Sequence, residues 1–117
     1  MIFEDDALLI VDKPAGLVSH PTYRHPTGSL LNRVLWHARH WPEGTRPSLV
    51  GRLDKLTSGL VVIAKTTDAH ARLQRTLASS FSEKAYLAVV YGAVPGTPGQ
   101  IDLRLRRHPD DRRRVMA

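Results

Sequence analysis

Ser48-Leu49-Val50-Gly51-Arg52-Leu53-Asp54-Lys55-Leu56-Thr57-Ser58-Gly59-Leu60-Val61-Val62-Ile63-Ala64-Lys65 is the stretch that organises the chain. It reads as a strand over 48–53, a polar loop, and a second strand over 60–65, because short apolar runs rich in Val and Ile bounded by Ser, Gly and Asp are strand and turn signals. A loop set between two strands places Asp54 at a strand end, where a rigid scaffold can present it. Arg52 lies two residues earlier and shares a face with Asp54 if the strand continues that far. A guanidinium beside a carboxylate keeps it ionised. Thr57, Ser58 and Gly59 add hydroxyls and a pliant backbone. The bland alternative is a plain hairpin connection, since Asp, Ser and Gly are what turns require.

Upstream, an acidic turn leads into Ala7-Leu8-Leu9-Ile10-Val11-Asp12-Lys13, a buried strand stopped by Lys13-Pro14-Ala15-Gly16. Leu17 to Pro21 continues extended. Thr27 is placed to cap a helix over 28–39 with Leu30, Leu31, Val34, Leu35 and Ala38 on its apolar stripe. A loop over 41–47 precedes the organising stretch. A second helix spans 68–79, capped by Thr67 or Asp68, with Ala69, Leu73 and Leu77 inward. Residues 83–91, rich in Tyr and Val, read as a further strand ended by the Gly- and Pro-bearing 92–99. From Ile101 a strand pattern begins and then gives way to charge. The sum is an α+β domain with a mixed, largely antiparallel sheet and two helices.

Composition narrows the function classes. At 117 residues, 42% hydrophobic and 24% charged, the chain fits one soluble domain. The absence of cysteine removes disulfides, thiolate catalysis and cysteine-ligated zinc. The apolar run 60–64 is far too short to span a bilayer, and the first residues are acidic where a signal peptide is basic; the cytoplasm is the simplest location. A net charge of +6 favours an anionic partner. Arg104, Arg106, Arg107, Arg112, Arg113 and Arg114 concentrate it in 104–117, which reads either as a phosphate-binding strip or as a frayed, solvated tail. His37 with His40, and His20 with His25, lack a third ligand and read as surface histidines. Trp36 reads as a core or loop-packing aromatic.

Three motifs together resemble a known family. Arg52-Leu53-Asp54 followed by Thr57-Ser58-Gly59 looks like the signature of the RluA family of RNA pseudouridine synthases. The strand ending in Lys13-Pro14-Ala15-Gly16 is similar to that family's opening strand and Lys-Pro-x-Gly turn, and Ser19-His20-Pro21 and Gly28-Ser29-Leu30-Leu31 also fit. Lys84-Ala85-Tyr86 resembles its Lys-x-Tyr motif. The resemblance implies isomerisation of uridine to pseudouridine in ribosomal or transfer RNA. Asp54 would be the essential carboxylate, acting as nucleophile at the sugar or as a base that takes a sugar proton. Tyr86 would stack on the extruded base, and Arg52 would position the nucleotide. Thr57, Ser58, Gly59, Lys84 and His20 would complete the substrate contacts. The partner is structured RNA, with no metal, cofactor or membrane required.

Two departures qualify this. Gly51 stands where the family most often has His. The family also continues through a further motif whose basic residue pairs with the catalytic Asp, so the chain is expected to be an incomplete catalytic domain. The alternative function is a catalytically silent RNA-binding fragment or truncated relative.

Overall fold

The computed structural model describes residues 1–94, 96, 98–111 and 114–116. Its contacts fall into two compact units, Met1–Lys84 and Ala85–Ala117.

The first unit is built on β1 (Phe3–Glu4), β2 (Leu8–Lys13), β3 (Ser48–Leu49) and β4 (Gly59–Ala64), in the order β1-β2-β4-β3. Every pairing in it is antiparallel, so the expected mixture of directions does not occur among the described residues. The β1–β2 connection is an Asp5 turn: Asp5 Oδ1 accepts the Ala7 and Leu8 amides, both at 2.8 Å. Those amides, Leu8 first, hold the Asp5 carboxyl below its ordinary range. In the central pair Leu9 faces Ile63 and Val11 faces Val61, which puts four apolar side chains on one face of the sheet.

That face receives α1 (Leu30–Ala38), whose Leu30 and Val34 complete a buried cluster with Leu9, Leu49, Val61 and Ile63. Full burial of each such side chain contributes about 1.5–3 kcal/mol. The cap is Ser29 and not Thr27. Ser29 Oγ accepts the Asn32 amide at 3.3 Å and Asn32 Oδ1 accepts the Ser29 amide at 3.0 Å, a reciprocal box. The next free amides are also satisfied, Leu30 N–H donating to Val18 O and Leu31 N–H to Ser19 O. Leu35 and Trp36 depart from expectation, being 49% and 67% exposed. Both lie on the turn of the helix away from Leu30 and Val34, so the sheet does not reach them.

The second helix, α2, spans Thr67–Ala78 and is capped by Thr66, not by the expected Thr67 or Asp68, because Thr66 Oγ1 accepts the Ala69 amide at 3.1 Å. Ala69, Leu73 and Leu77 are half-buried. A 2.8 Å hydrogen bond between Ser48 Oγ and His70 Nδ1 ties α2 to β3. At the other end of the sheet Glu4 accepts from Lys65 at 2.8 Å and pairs with His37 at 2.8 Å, while Lys65 Nζ sits 4.2 Å over the Trp41 ring. The Lys65 hydrogen bond, followed by that of His37, lowers the Glu4 carboxyl to about 2.

In the second unit the expected strand over 83–91 does not form, and Tyr86, Leu87, Val89, Val90 and Tyr91 are exposed. Period-2 hydrophobicity equips a segment for a sheet, but a strand exists only where a second strand takes its amides, and among the described residues none does. The pattern over 101–105 likewise remains unpaired. The ladder instead lies in the charged tail, where β5 (Arg106–Arg107) pairs antiparallel with β6 (Val115–Met116). Arg112 and Arg113 lie outside the described residues.

Candidate active site

Asp54 sits at the apex of a loop that is pinned on both sides while its own side chain stays exposed. The carbonyl before it, Leu53 O, accepts Ser19 Oγ at 2.6 Å. The carbonyl after it, Lys55 O, accepts the Gly16 amide at 2.8 Å and Lys13 Nζ at 3.3 Å. Asp54 O accepts the Thr57 amide at 3.1 Å, closing the turn. Three consecutive carbonyls are thus held, two of them by the segment that follows β2. Leu53 packs its side chain against the core cluster and fixes the loop from beneath.

Lys13 is the unexpected member. It is 0% exposed, and its three N–H groups go to Pro14 O (3.0 Å), Leu17 O (2.8 Å) and Lys55 O (3.3 Å). A buried ammonium is tolerated only when every donor finds an acceptor, and here backbone carbonyls supply all of them. Lys13 ends β2, as its place in the sequence leads one to expect. The signal was present in a lysine closing an apolar run ahead of Pro-x-Gly, but its acceptor on residue 55 is a long-range contact that no local pattern reveals.

Glycine appears where the backbone demands it. Gly16, φ +87°, turns the chain so that its amide meets Lys55 O, and Gly59, φ +129°, lets the loop re-enter β4. Gly51 is different: it has no left-handed φ, and a Cβ there meets nothing within 4 Å.

The structure gathers part of the expected site. Arg52, Asp54, Thr57, Ser58 and Gly59 share this one loop, and His20 follows directly on Ser19, which holds Leu53 O. Strand β3 ends at Leu49, so the expected strand-face relation between Arg52 and Asp54 does not arise; both side chains are exposed on an irregular backbone. Lys84 is exposed at the end of the first unit, and Tyr86, 66% exposed, belongs to the second. An apolar groove of about 180 Å³, lined by Met1, Leu9, Val11, Leu30, Arg33, Val34 and His37, includes none of these residues. His37 is engaged with Glu4, and His40 Nε2 accepts from Arg39 Nε at 3.2 Å. Among the described residues no group of three or more potential ligands converges on a metal position.

The arrangement offers an accessible carboxylate on a loop whose backbone is held by hydrogen bonds on both sides, a geometry compatible with covalent or general-base chemistry.

A family model described as RNA pseudouridylate synthase matches residues 7–117. The chain is 40% identical over 115 residues to the ribosomal large subunit pseudouridine synthase D of Pseudomonas aeruginosa, covering 98% of this chain and 36% of that protein. It is 44% identical over 115 residues to the protein of the same name from Nitrosomonas europaea, covering 98% and 33%. With an uncharacterized RNA pseudouridine synthase of Aquifex aeolicus it shares 41% over 117 residues, covering 97% and 37%. The chain therefore spans about a third of the length of the curated relatives it matches. With the family model matching nearly the whole chain, the chain belongs to the RNA pseudouridylate synthase family.

Proposed function

We propose that this chain is the leading part of the catalytic domain of an enzyme that isomerises uridine to pseudouridine in RNA, with Asp54 as the reacting carboxylate. The observation that carries the reading is the exposed Asp54 side chain between two clamped carbonyls, Leu53 O and Lys55 O. A fixed carboxylate either attacks the sugar carbon and holds it while the uracil turns, or removes a sugar proton to release the base; both routes need it poised at the ribose. The uridine must leave its stack to arrive there, at a cost of a few kcal/mol.

Arg52 steers the extruded nucleotide through its phosphate. Tyr86 stacks on the displaced base. His20 and Lys84 add contacts to the substrate, and Thr57, Ser58 and Gly59 keep the loop in shape. The chemistry requires no cofactor. The names of the relatives favour large-subunit ribosomal RNA, with transfer RNA the second substrate class. Either substrate class favours the cytoplasm as the place of action. No described helix is long and apolar enough to cross a membrane.

The test uses the complete protein containing this segment. Ribosomal and transfer RNA transcripts are incubated with the wild type and with Asp54→Asn, and pseudouridine is mapped while RNA binding is measured in parallel. Product from the wild type alone, with binding by both, supports the reading. Binding by the wild type without product on any transcript identifies a silent RNA-binding relative.

A further inference from the structure

The outward face of α1 carries an aromatic platform that the fold itself does not use. Trp36 lies on the side of the helix opposite Leu30 and Val34 and is 67% exposed. Arg39 stacks on it, its guanidinium carbon 3.2 Å from the ring centroid, and Arg39 Nε donates to His40 Nε2 at 3.2 Å. The guanidinium is therefore held between an indole and an imidazole, and its order does not depend on a ligand. Arg33, one turn before Trp36, is exposed and borders the apolar groove beside α1, within side-chain reach of the Trp36 turn. From Lys13 to Pro42 the chain contains no Asp or Glu, while it carries Lys13, Arg24, Arg33 and Arg39; the carboxylate that reaches α1, Glu4, is paired with His37 and Lys65.

An indole covered by arginine on one face and open on the other is a surface on which a planar, electron-rich ring can stack. Flanking guanidiniums suit the phosphates on either side of that ring. Apolar protein partners would bury the indole but leave two arginines to be desolvated without acids to meet them. Charge complementarity thus selects a polyanion, and the ring selects one with bases.

We infer that Arg33, Trp36 and Arg39 form a docking surface for an unpaired stretch of RNA, with one base stacked on the open face of Trp36. The surface extends the reading of the chain as RNA-acting, on which its partner class rests, and it is independent of the chemistry assigned to Asp54. Stacking on Trp36 contributes sequence-tolerant affinity, whereas Arg33 and Arg39 contribute affinity that salt removes.

The test measures binding of the chain to a labelled oligouridine of about a dozen nucleotides, and separately to inorganic polyphosphate, which has the charge but no bases. Trp36→Ala is expected to weaken oligouridine binding about tenfold and to leave polyphosphate binding unchanged, with Trp36→Phe within about threefold of the wild type. Arg33→Ala with Arg39→Ala is expected to weaken both. Arg72→Ala, an exposed arginine on α2 outside both surfaces, serves as the charge control and is expected to bind oligouridine as the wild type does. Wild-type affinity for oligouridine in Trp36→Ala overturns the inference, as does a wild type that does not bind oligouridine, while pseudouridine formation by the complete protein leaves the isomerase reading standing in either case. Self-association that Trp36→Ala abolishes, with oligouridine affinity unaltered, would make a second copy the occupant and overturn the RNA assignment.

Discussion

Lys13 is the residue on which the geometry around Asp54 turns. Its three hydrogen bonds fasten the Lys-Pro-x-Gly turn to the carbonyl next to the aspartate, and no solvent reaches it. Lys13→Met is predicted to cost about 2 kcal/mol in urea unfolding, since the three part-buried hydrogen bonds that tie the turn to Lys55 O are lost together. Lys13→Arg is predicted to fare little better, because a planar fork does not place three donors on three carbonyls around a point. A loss under about 0.5 kcal/mol, the usual range for a surface substitution, would contradict the clamp.

Gly51 gives the opposite expectation. With open space around its would-be Cβ and an ordinary φ, Gly51→Ala is predicted to raise stability by about 0.5 kcal/mol through the unfolded chain. Gly59→Ala is predicted to lower it by about 1 kcal/mol or more, the conformation at φ +129° being costly for a side chain. Differential scanning of the two variants separates them by sign. The sequence made Asp54, Gly59 and their loop legible because turn chemistry is local. The Lys13 contact was hidden because residues 13 and 55 meet only in the folded sheet.

At the scale of elements, the helices and the central strands were readable, and their ends were not. The apolar stripe located α1, but Ser29 displaced Thr27 as its cap, a choice decided by whether Asn32 can reciprocate. Ser29→Ala is accordingly predicted to lower stability by about 1 kcal/mol, and Thr27→Ala to change it by less than about 0.5 kcal/mol, compared by thermal unfolding. Equal losses in both would show that the cap had been misplaced. Strand β2 and its partner β4 were visible as apolar runs, whereas the 83–91 segment carried the same pattern without becoming a strand. The difference lies outside the segment. Hydrophobic periodicity records what a stretch can bury, while a ladder depends on which other stretch arrives beside it.

At the scale of the whole molecule, charge organises both stability and partner choice. Glu4 joins β1 to Lys65 and to His37, and its carboxyl is lowered from 4.5 to about 2 by those partners. A depressed carboxyl stabilises the fold fully above its unfolded value and loses that contribution as pH falls through the folded one. Stability is therefore predicted to decline between roughly pH 4.5 and 2, and Glu4→Gln to flatten that decline, in urea titrations at stepped pH. Asp5, held low by the Leu8 and Ala7 amides, acts in the same direction.

The basic surplus fits the proposed RNA partner, and the pinned loop fits the proposed chemistry. The central claim is that the Asp54 carboxylate is the reacting group, so the decisive measurement is single-turnover pseudouridine formation by the complete protein with enzyme in excess over RNA. Asp54→Asn is predicted to form no product above the uncatalysed background while binding the transcript within about threefold of the wild type, since the change preserves shape and removes only the charge. Product formation by Asp54→Asn at a rate near that of the wild type would contradict it.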